Sequence, residues 1–187
     1  MARPAGRPRY DTKQKLIAAM RELLAERGYT ATSPKMVLDR AKLGQGSLYY
    51  HFTGKEDFAV QTVRTLMDRS LTILANALDA DDQADVLDPD DAAAARVDAA
   101  LTGLFDWREG AALLRLLADP AASQPGPLAD AIAVWVRALR LLLTQTHDAQ
   151  QPGQTAAAAD AEQHLSLALG RALLRVGSRS LLGPVPM

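Results

Sequence analysis

The sequence predicts an all-α fold, with a small N-terminal three-helix unit joined to a larger helical domain. Three observations carry this expectation. Ala and Leu dominate while aromatic residues make up only 5% of the chain, a bias that favours helix over strand. Apolar residues recur three and four apart along most long segments, the spacing of one helical face. These segments are interrupted by capping residues and by glycine- or proline-bearing stretches where helices start and stop. At 187 residues the chain suits one large helical domain, or a small domain fused to a larger one. It contains no cysteine, so neither disulfides nor thiolate chemistry is on offer.

A first helix is expected from Thr12, a plausible N-cap, to Gly28, with Leu16, Met20, Leu23, Leu24 and Arg27 on its inner face. Ser33-Pro34 pairs an N-cap with a proline at the first helical position and starts a second helix that runs to Ala41. Lys42-Leu43-Gly44 is the turn, and Gln45 to His51 the third helix. A long fourth helix opens at Gly54-Lys55-Glu56 and extends to Leu78, with Phe58, Val63, Leu66, Met67, Ser70, Leu74 and Ala77 facing inward. Residues 79–91 hold seven aspartates and read as an exposed acidic connector. Helix resumes over 92–107 and 110–118, breaks at the prolines and glycine of 121–127, and returns over 128–147 and 156–181. A Gln-, Ala-, Gly- and Pro-rich linker is expected at 149–159.

The third helix is the most informative part of the chain. A glycine-bearing turn opens a very short helix in which Leu48 and Phe52, four apart, supply a buried face. The remaining side chains can hydrogen-bond, stack and contact phosphate, which is how a helix-turn-helix protein presents its recognition helix to the major groove. Charge divides in the same sense. Residues 1–55 carry eleven Lys/Arg against four Asp/Glu, a balance of +7, and the rest of the chain is −8. A basic first third suits a polyanion, although clustering on a solvated surface gives the same numbers.

Residues 12–60 resemble the DNA-binding domain of the TetR (tetracycline-repressor) family of bacterial transcriptional regulators. The resemblance rests on Gly28-Tyr29 ending the first helix, on Leu48-Tyr49-Tyr50-His51-Phe52, and on Lys55-Glu56 opening the fourth helix. Two positions depart from the family pattern. Lys42 stands where glycine is usual, so it must adopt a backbone conformation that suits glycine better, and Gly44 replaces a Ser or Thr cap. The resemblance implies a flexible basic arm at 1–10, a DNA-binding domain at 11–55 and a helical regulatory and dimerisation domain at 56–187.

Implied contacts with a double-stranded DNA operator fall on Arg7, Arg9, Ser33, Lys35, Gln45, Gly46, Ser47, Tyr49, Tyr50, His51 and Lys55. Glutamine can bond an adenine edge bidentately, while Tyr and His suit phosphates. Arg3, Arg7 and Arg9 form an arm that could enter a minor groove, or a basic tail that only adds charge. Of the neighbours Tyr49 and Tyr50, one is expected to turn inward.

A homodimer is implied, its surface built by the last two helices with Leu142, Leu169, Gly170, Leu173 and Gly177; the alternative is that these helices close the monomer core. The resemblance also implies a pocket for a small lipophilic or aromatic inducer. Met67, Leu101, Phe105, Trp107, Leu113, Leu117, Trp135 and Leu139 supply lining material, and such stripes also serve as plain core.

No metal or other cofactor is expected, because His51, His147 and His164 are far apart and form no ligand pair on a helix. Catalysis is not expected either, since glycine-rich phosphate loops and nucleophile elbows are absent. No signal sequence or apolar run of membrane-spanning length is present, which points to a cytoplasmic protein. The remaining alternative is a helical adaptor of the same fold that binds protein instead of DNA.

Overall fold

The computed structural model describes residues 9–79, 89–107, 109–150 and 157–181, and these contain helices and turns but no strand. In chain order the elements are α1 (Arg9–Arg27), α2 (Pro34–Ala41), α3 (Gly46–His51), α4 (Lys55–Asp79), α5 (Pro89–Asp106), α6 (Gly110–Leu117), a 3₁₀ turn (Pro120–Ser123), α7 (Pro127–Gln150) and α8 (Ala157–Leu181). We call α1–α3 the head and α4–α8 the body.

Most boundaries match the sequence pattern, and the differences have local causes. α1 starts at Arg9 rather than at Thr12, so Arg9 belongs to a helix and not to an arm. Arg27, expected inward, is exposed, because Leu23 and Leu24 already fill the last inner turn. Asp79 closes α4 and Pro89 opens α5, which shortens the acidic connector to residues that lie outside the described ones. α7 likewise runs on to Gln150 and narrows the following linker.

Head and body share one continuous apolar core. Leu16, Met20 and Leu23 of α1 belong to the same buried cluster as Leu113 and Leu114 of α6 and Trp135 and Leu139 of α7. α1 packs against α6, α4 against α7, and α7 against α8. A buried polar pair links α4 and α7: Trp135 Nε1–H donates to Ser70 Oγ at 2.8 Å, and Ser70 donates to the Met67 carbonyl at 2.7 Å. This explains a serine on the inner face of α4, since an indole N–H without a partner would cost ~1–3 kcal/mol. At the head–body boundary, Glu109 lies 3.1 Å from Arg21 of α1 and 2.8 Å from Arg69 of α4. The Arg69 guanidinium in turn sits 5.0 Å from the centre of the Trp107 ring. Among the described residues, no helix is long and apolar enough to cross a membrane.

Candidate DNA-binding interface

The site is built from local chemistry in α2 and tertiary packing in α3. Ser33 caps α2 in extended conformation, its Oγ accepting from Met36 N–H at 3.3 Å, with Pro34 at the first helical position. Val37 and Leu38 are buried and fix the helix in the core.

At its other end Lys42 has φ 55° and ψ 46°, the glycine-like conformation that its position demanded. Its N–H donates to Asp39 O at 3.2 Å, and Leu43 N–H donates to Leu38 O at 3.0 Å. This paired closure is a Schellman motif, which offsets the ~1–2 kcal/mol cost of a left-handed lysine.

α3 begins at Gly46 without a side-chain cap, and Gln45 immediately precedes it. Leu48 is fully buried and Phe52 nearly so, with the Phe52 ring 4.3 Å from that of Phe58 on α4. These two occupy the inward direction, so both tyrosines point out: Tyr49 is 66% and Tyr50 63% exposed. The expectation that one of them turns inward is therefore wrong. Successive residues step by ~100° around a helix, and Leu48 and Phe52 leave no inward place between them. Gln45 and Gly46 are exposed, Ser47 and His51 half-buried, and the His51 ring meets Tyr50 edge-on at 4.9 Å. A side chain at Gly46 would meet nothing within 4 Å, so packing within the chain does not demand glycine there.

The other expected contacts are more scattered. Lys35 is exposed at the start of α2, beside Ser33. Lys55 is set apart from α3: its Nζ lies 4.2 Å from the Tyr29 ring centre. Burial lowers the Lys55 pKa against the opposing field of Asp119. Arg7 lies outside the described residues, and of Arg9 only the helical backbone is described.

Two groups were missed by sequence reasoning. Lys13 of α1 places its Nζ 5.5 Å from the Phe52 ring centre, at the end of α3. Asp57 caps the start of α4, accepting from Thr53 N–H in the turn after α3 and from Gln61 Nε2, both at 2.9 Å. The Gln61 bond, then the Thr53 bond, hold the Asp57 pKa below its ordinary value. The Lys13 contact depends on how α1 meets the end of α3 and is silent in sequence, whereas both Asp57 bonds join residues four apart and carry a local signal that the sequence reading passed over.

In the body, Leu101, Phe105, Leu113 and Leu139 are buried in the core, while Trp107 and Leu117 are partly exposed. Of the expected lining residues, only Met67 and Trp135 border the cavity of about 180 Å³ between α4 and α7. Arg64, Asp68, Asp130 and Val134 also line it. Among the described residues, no group of three or more His, Cys, Asp or Glu could hold a metal ion.

The outer faces of α7 and α8 also differ from expectation. Leu142 and Leu169 are half-buried against the chain's own core, so neither leads an outward surface. Gly170 and Leu173 are exposed, and the surroundings of Gly177 lie outside the described residues. The most exposed apolar residues there are Val134 and Leu141 on α7 and Leu167 and Leu174 on α8, each pair seven apart and 52–73% exposed.

Comparison with known proteins agrees with this geometry. Residues 16–62 match the family model described as bacterial regulatory proteins, tetR family. An uncharacterised HTH-type transcriptional regulator in the lacX 3′ region of Lactococcus lactis is 34% identical over 53 residues, covering 28% of this chain and 27% of that protein. The HTH-type transcriptional regulator LmrA of Bacillus subtilis is 30% identical over 71 residues, covering 37% and 38%. The matched region thus spans well under half the length of these curated relatives.

Solved structures extend the likeness over most of the chain. A transcriptional regulator from Rhodococcus sp. Rha1 superimposes with a TM-score of 0.70 at 26% identity, covering 92% of this chain and 87% of that one. Reduced E. coli NemR gives 0.72 at 22% identity, with coverage of 90% and 89%. A TetR-family regulator from Agrobacterium tumefaciens gives 0.72 at 16%, with coverage of 89% and 87%. Residues 16–62 thus carry the pattern of the TetR family of bacterial regulatory proteins, and the chain as a whole shares the fold of these solved regulators.

Proposed function

We propose that this protein is a homodimeric, ligand-responsive repressor that binds a near-palindromic operator through α3 and releases it when a lipophilic or aromatic small molecule binds the body. The observation that carries the DNA side is the division of α3, with Leu48 and Phe52 inward and Gln45, Gly46, Tyr49 and Tyr50 outward. Gln45 reads a base edge, Ser47 adapts to base or phosphate, and the tyrosines and His51 bond phosphates that fix register. Ser33 and Lys35 add a phosphate contact where α2 begins, and Lys13 adds a cation at the other end of α3. Lys55 reaches phosphate only by leaving Tyr29. Arg7 and Arg9 precede this surface, and a minor-groove contact for them rests on the basic composition of the first residues.

One six-residue helix gives too little specificity, which argues for two heads related by symmetry and about 34–36 Å apart on the duplex. The favoured dimer surface is the outward face of α7 and α8. Its apolar residues are Val134, Leu141, Leu167 and Leu174, around Gly170, where a side chain would meet open space. On the inducer side, α4 supports both the recognition helix, through Phe58, and the α4–α7 cavity, through Met67. A ligand there acts only if it binds the DNA-incompetent arrangement more tightly than the competent one.

The test is selection of bound duplexes from a random pool, with the mass of the protein–DNA complex measured alongside. A palindromic winner bound by two chains is expected. Recovery of no enriched sequence, or binding of one chain to a non-repeated site, contradicts the proposal.

A further inference from the structure

We propose that Asp119 is a positioning residue for DNA recognition: carried by the body at the end of α6, its carboxylate holds the α1–α2 turn and thereby sets the angle at which the head presents α3. The inference rests on the regulator reading above. Among the described residues, Asp119 is the one charged side chain that is buried, at 7% exposure. It accepts from Thr30 N–H at 2.8 Å, Thr30 Oγ1–H at 2.5 Å and Ala121 N–H at 3.1 Å. The Tyr29 N–H is directed at it as well. The two bonds from Thr30 join the body to a turn 89 residues earlier in the chain.

The turn is shaped to receive the carboxylate. Gly28 has φ +77°, and a side chain there would bring Cβ to 2.9 Å from Asp119 Oδ2. Thr32, itself buried, donates its hydroxyl to Gly28 O at 2.7 Å, and its N–H to Tyr29 O at 3.1 Å. Ser33 follows at once as the cap of α2, and the closure at Lys42 leads directly into α3. A shift of the turn is therefore carried through α2 to the recognition helix with no slack segment between. Beside the shared apolar core, the other polar tie between head and body, Arg21 to Glu109, joins flexible side chains that are each about a quarter exposed and fixes an angle less firmly.

Asp119→Asn keeps the side-chain shape but replaces one acceptor oxygen with an NH2 donor that faces the N–H and O–H donors of Thr30 and Ala121. The chain has no cysteine, so a spin-label pair at Asp39→Cys on α2 and Gln145→Cys on α7 can be introduced without background. Diluted into unlabelled protein, this pair measures the head–body distance without DNA. Asp119→Asn should broaden that distribution and weaken binding to the selected palindromic duplex about tenfold, the scale of one charge-assisted hydrogen bond. Binding to a single half-site should stay unchanged, which loss of fold would not permit. Thr30→Val, which removes only the hydroxyl donor, should give the same pattern with smaller amplitude and serves if Asp119→Asn does not fold. A distance distribution and duplex affinity like wild type in both variants would overturn the proposal. If wild type binds no duplex, the regulator reading fails, and the label distribution alone still decides whether Asp119 orients the head.

Discussion

Replacing Leu48 with alanine tests whether the recognition surface is held by packing. Leu48 is the only buried side chain within α3 and is 0% exposed. A Leu→Ala change at a fully buried position costs ~3–5 kcal/mol, part transfer and part cavity. A helix of six residues cannot persist by its own hydrogen bonds, since isolated helices shorter than about 12 residues are marginal in water. At ~3 kcal/mol, and with ~2–4 °C per kcal/mol for a chain of this size, the melting temperature should fall by roughly 6–12 °C. Duplex affinity should fall at least ~100-fold if that energy is lost from the presentation of α3.

The informative comparison is Tyr49→Ala. That side chain is 66% exposed, so stability should change by less than ~0.5 kcal/mol while duplex affinity drops. Thermal unfolding and fluorescence anisotropy on both variants separate the two effects. Melting of Leu48→Ala within 1 °C of wild type, or equal destabilisation by both changes, would refute the reasoning.

Three further outcomes are expected. Gly28→Ala should cost more than ~2 kcal/mol in chemical denaturation, through left-handed strain and the clash with Asp119, whereas Gly44→Ala, with open space around it, should cost far less. Lys42→Gly removes a left-handed strain of ~1–2 kcal/mol at an entropic cost of ~0.5–1 kcal/mol, so slight stabilisation is expected; a loss above ~1 kcal/mol would contradict the turn geometry.

The third outcome concerns pH. Burial raises the Asp119 pKa, but the hydrogen bonds from Thr30, Ala121 and Tyr29 outweigh it and leave the value depressed; Asp57 is depressed as well. Carboxylates of lowered pKa stabilise the fold above the unfolded value near ~3.9 and lose that contribution as pH falls through the folded value. Their contribution should therefore be flat from about pH 5 to 8, begin to fall near pH 4 and vanish only below the lowered folded values, and Asp119→Asn should flatten the acid limb of a pH–stability curve.

What the sequence disclosed depended on how local the physics was. The Ser33-Pro34 start of α2 and the glycine-like backbone at Lys42 follow from neighbouring residues alone, and both are observed. The start of α1 was misplaced because Thr12 looks like a cap while the helix already runs through it. On α7 the difference is rotational: Leu141 and Leu142 are adjacent, yet ~100° apart around the helix, and periodicity alone does not say which one turns outward. The inducer residues were read from apolar stripes, which look alike whether they pack a core or line a cavity, and only Met67 and Trp135 border open space between α4 and α7. The role of Asp119 at the head was silent because its partner Thr30 lies 89 residues away.

The account stands or falls on whether the outward side of α3 meets duplex DNA. The direct measurement is the affinity of wild type and Gln45→Ala for the selected palindrome between about 50 and 200 mM salt. Wild type should lose about 10³–10⁵-fold across that range as phosphate contacts are screened. Gln45→Ala should bind more weakly with the same salt slope, because glutamine reads a base edge and neutralises no phosphate. Affinity that ignores both salt and the substitution would contradict the account.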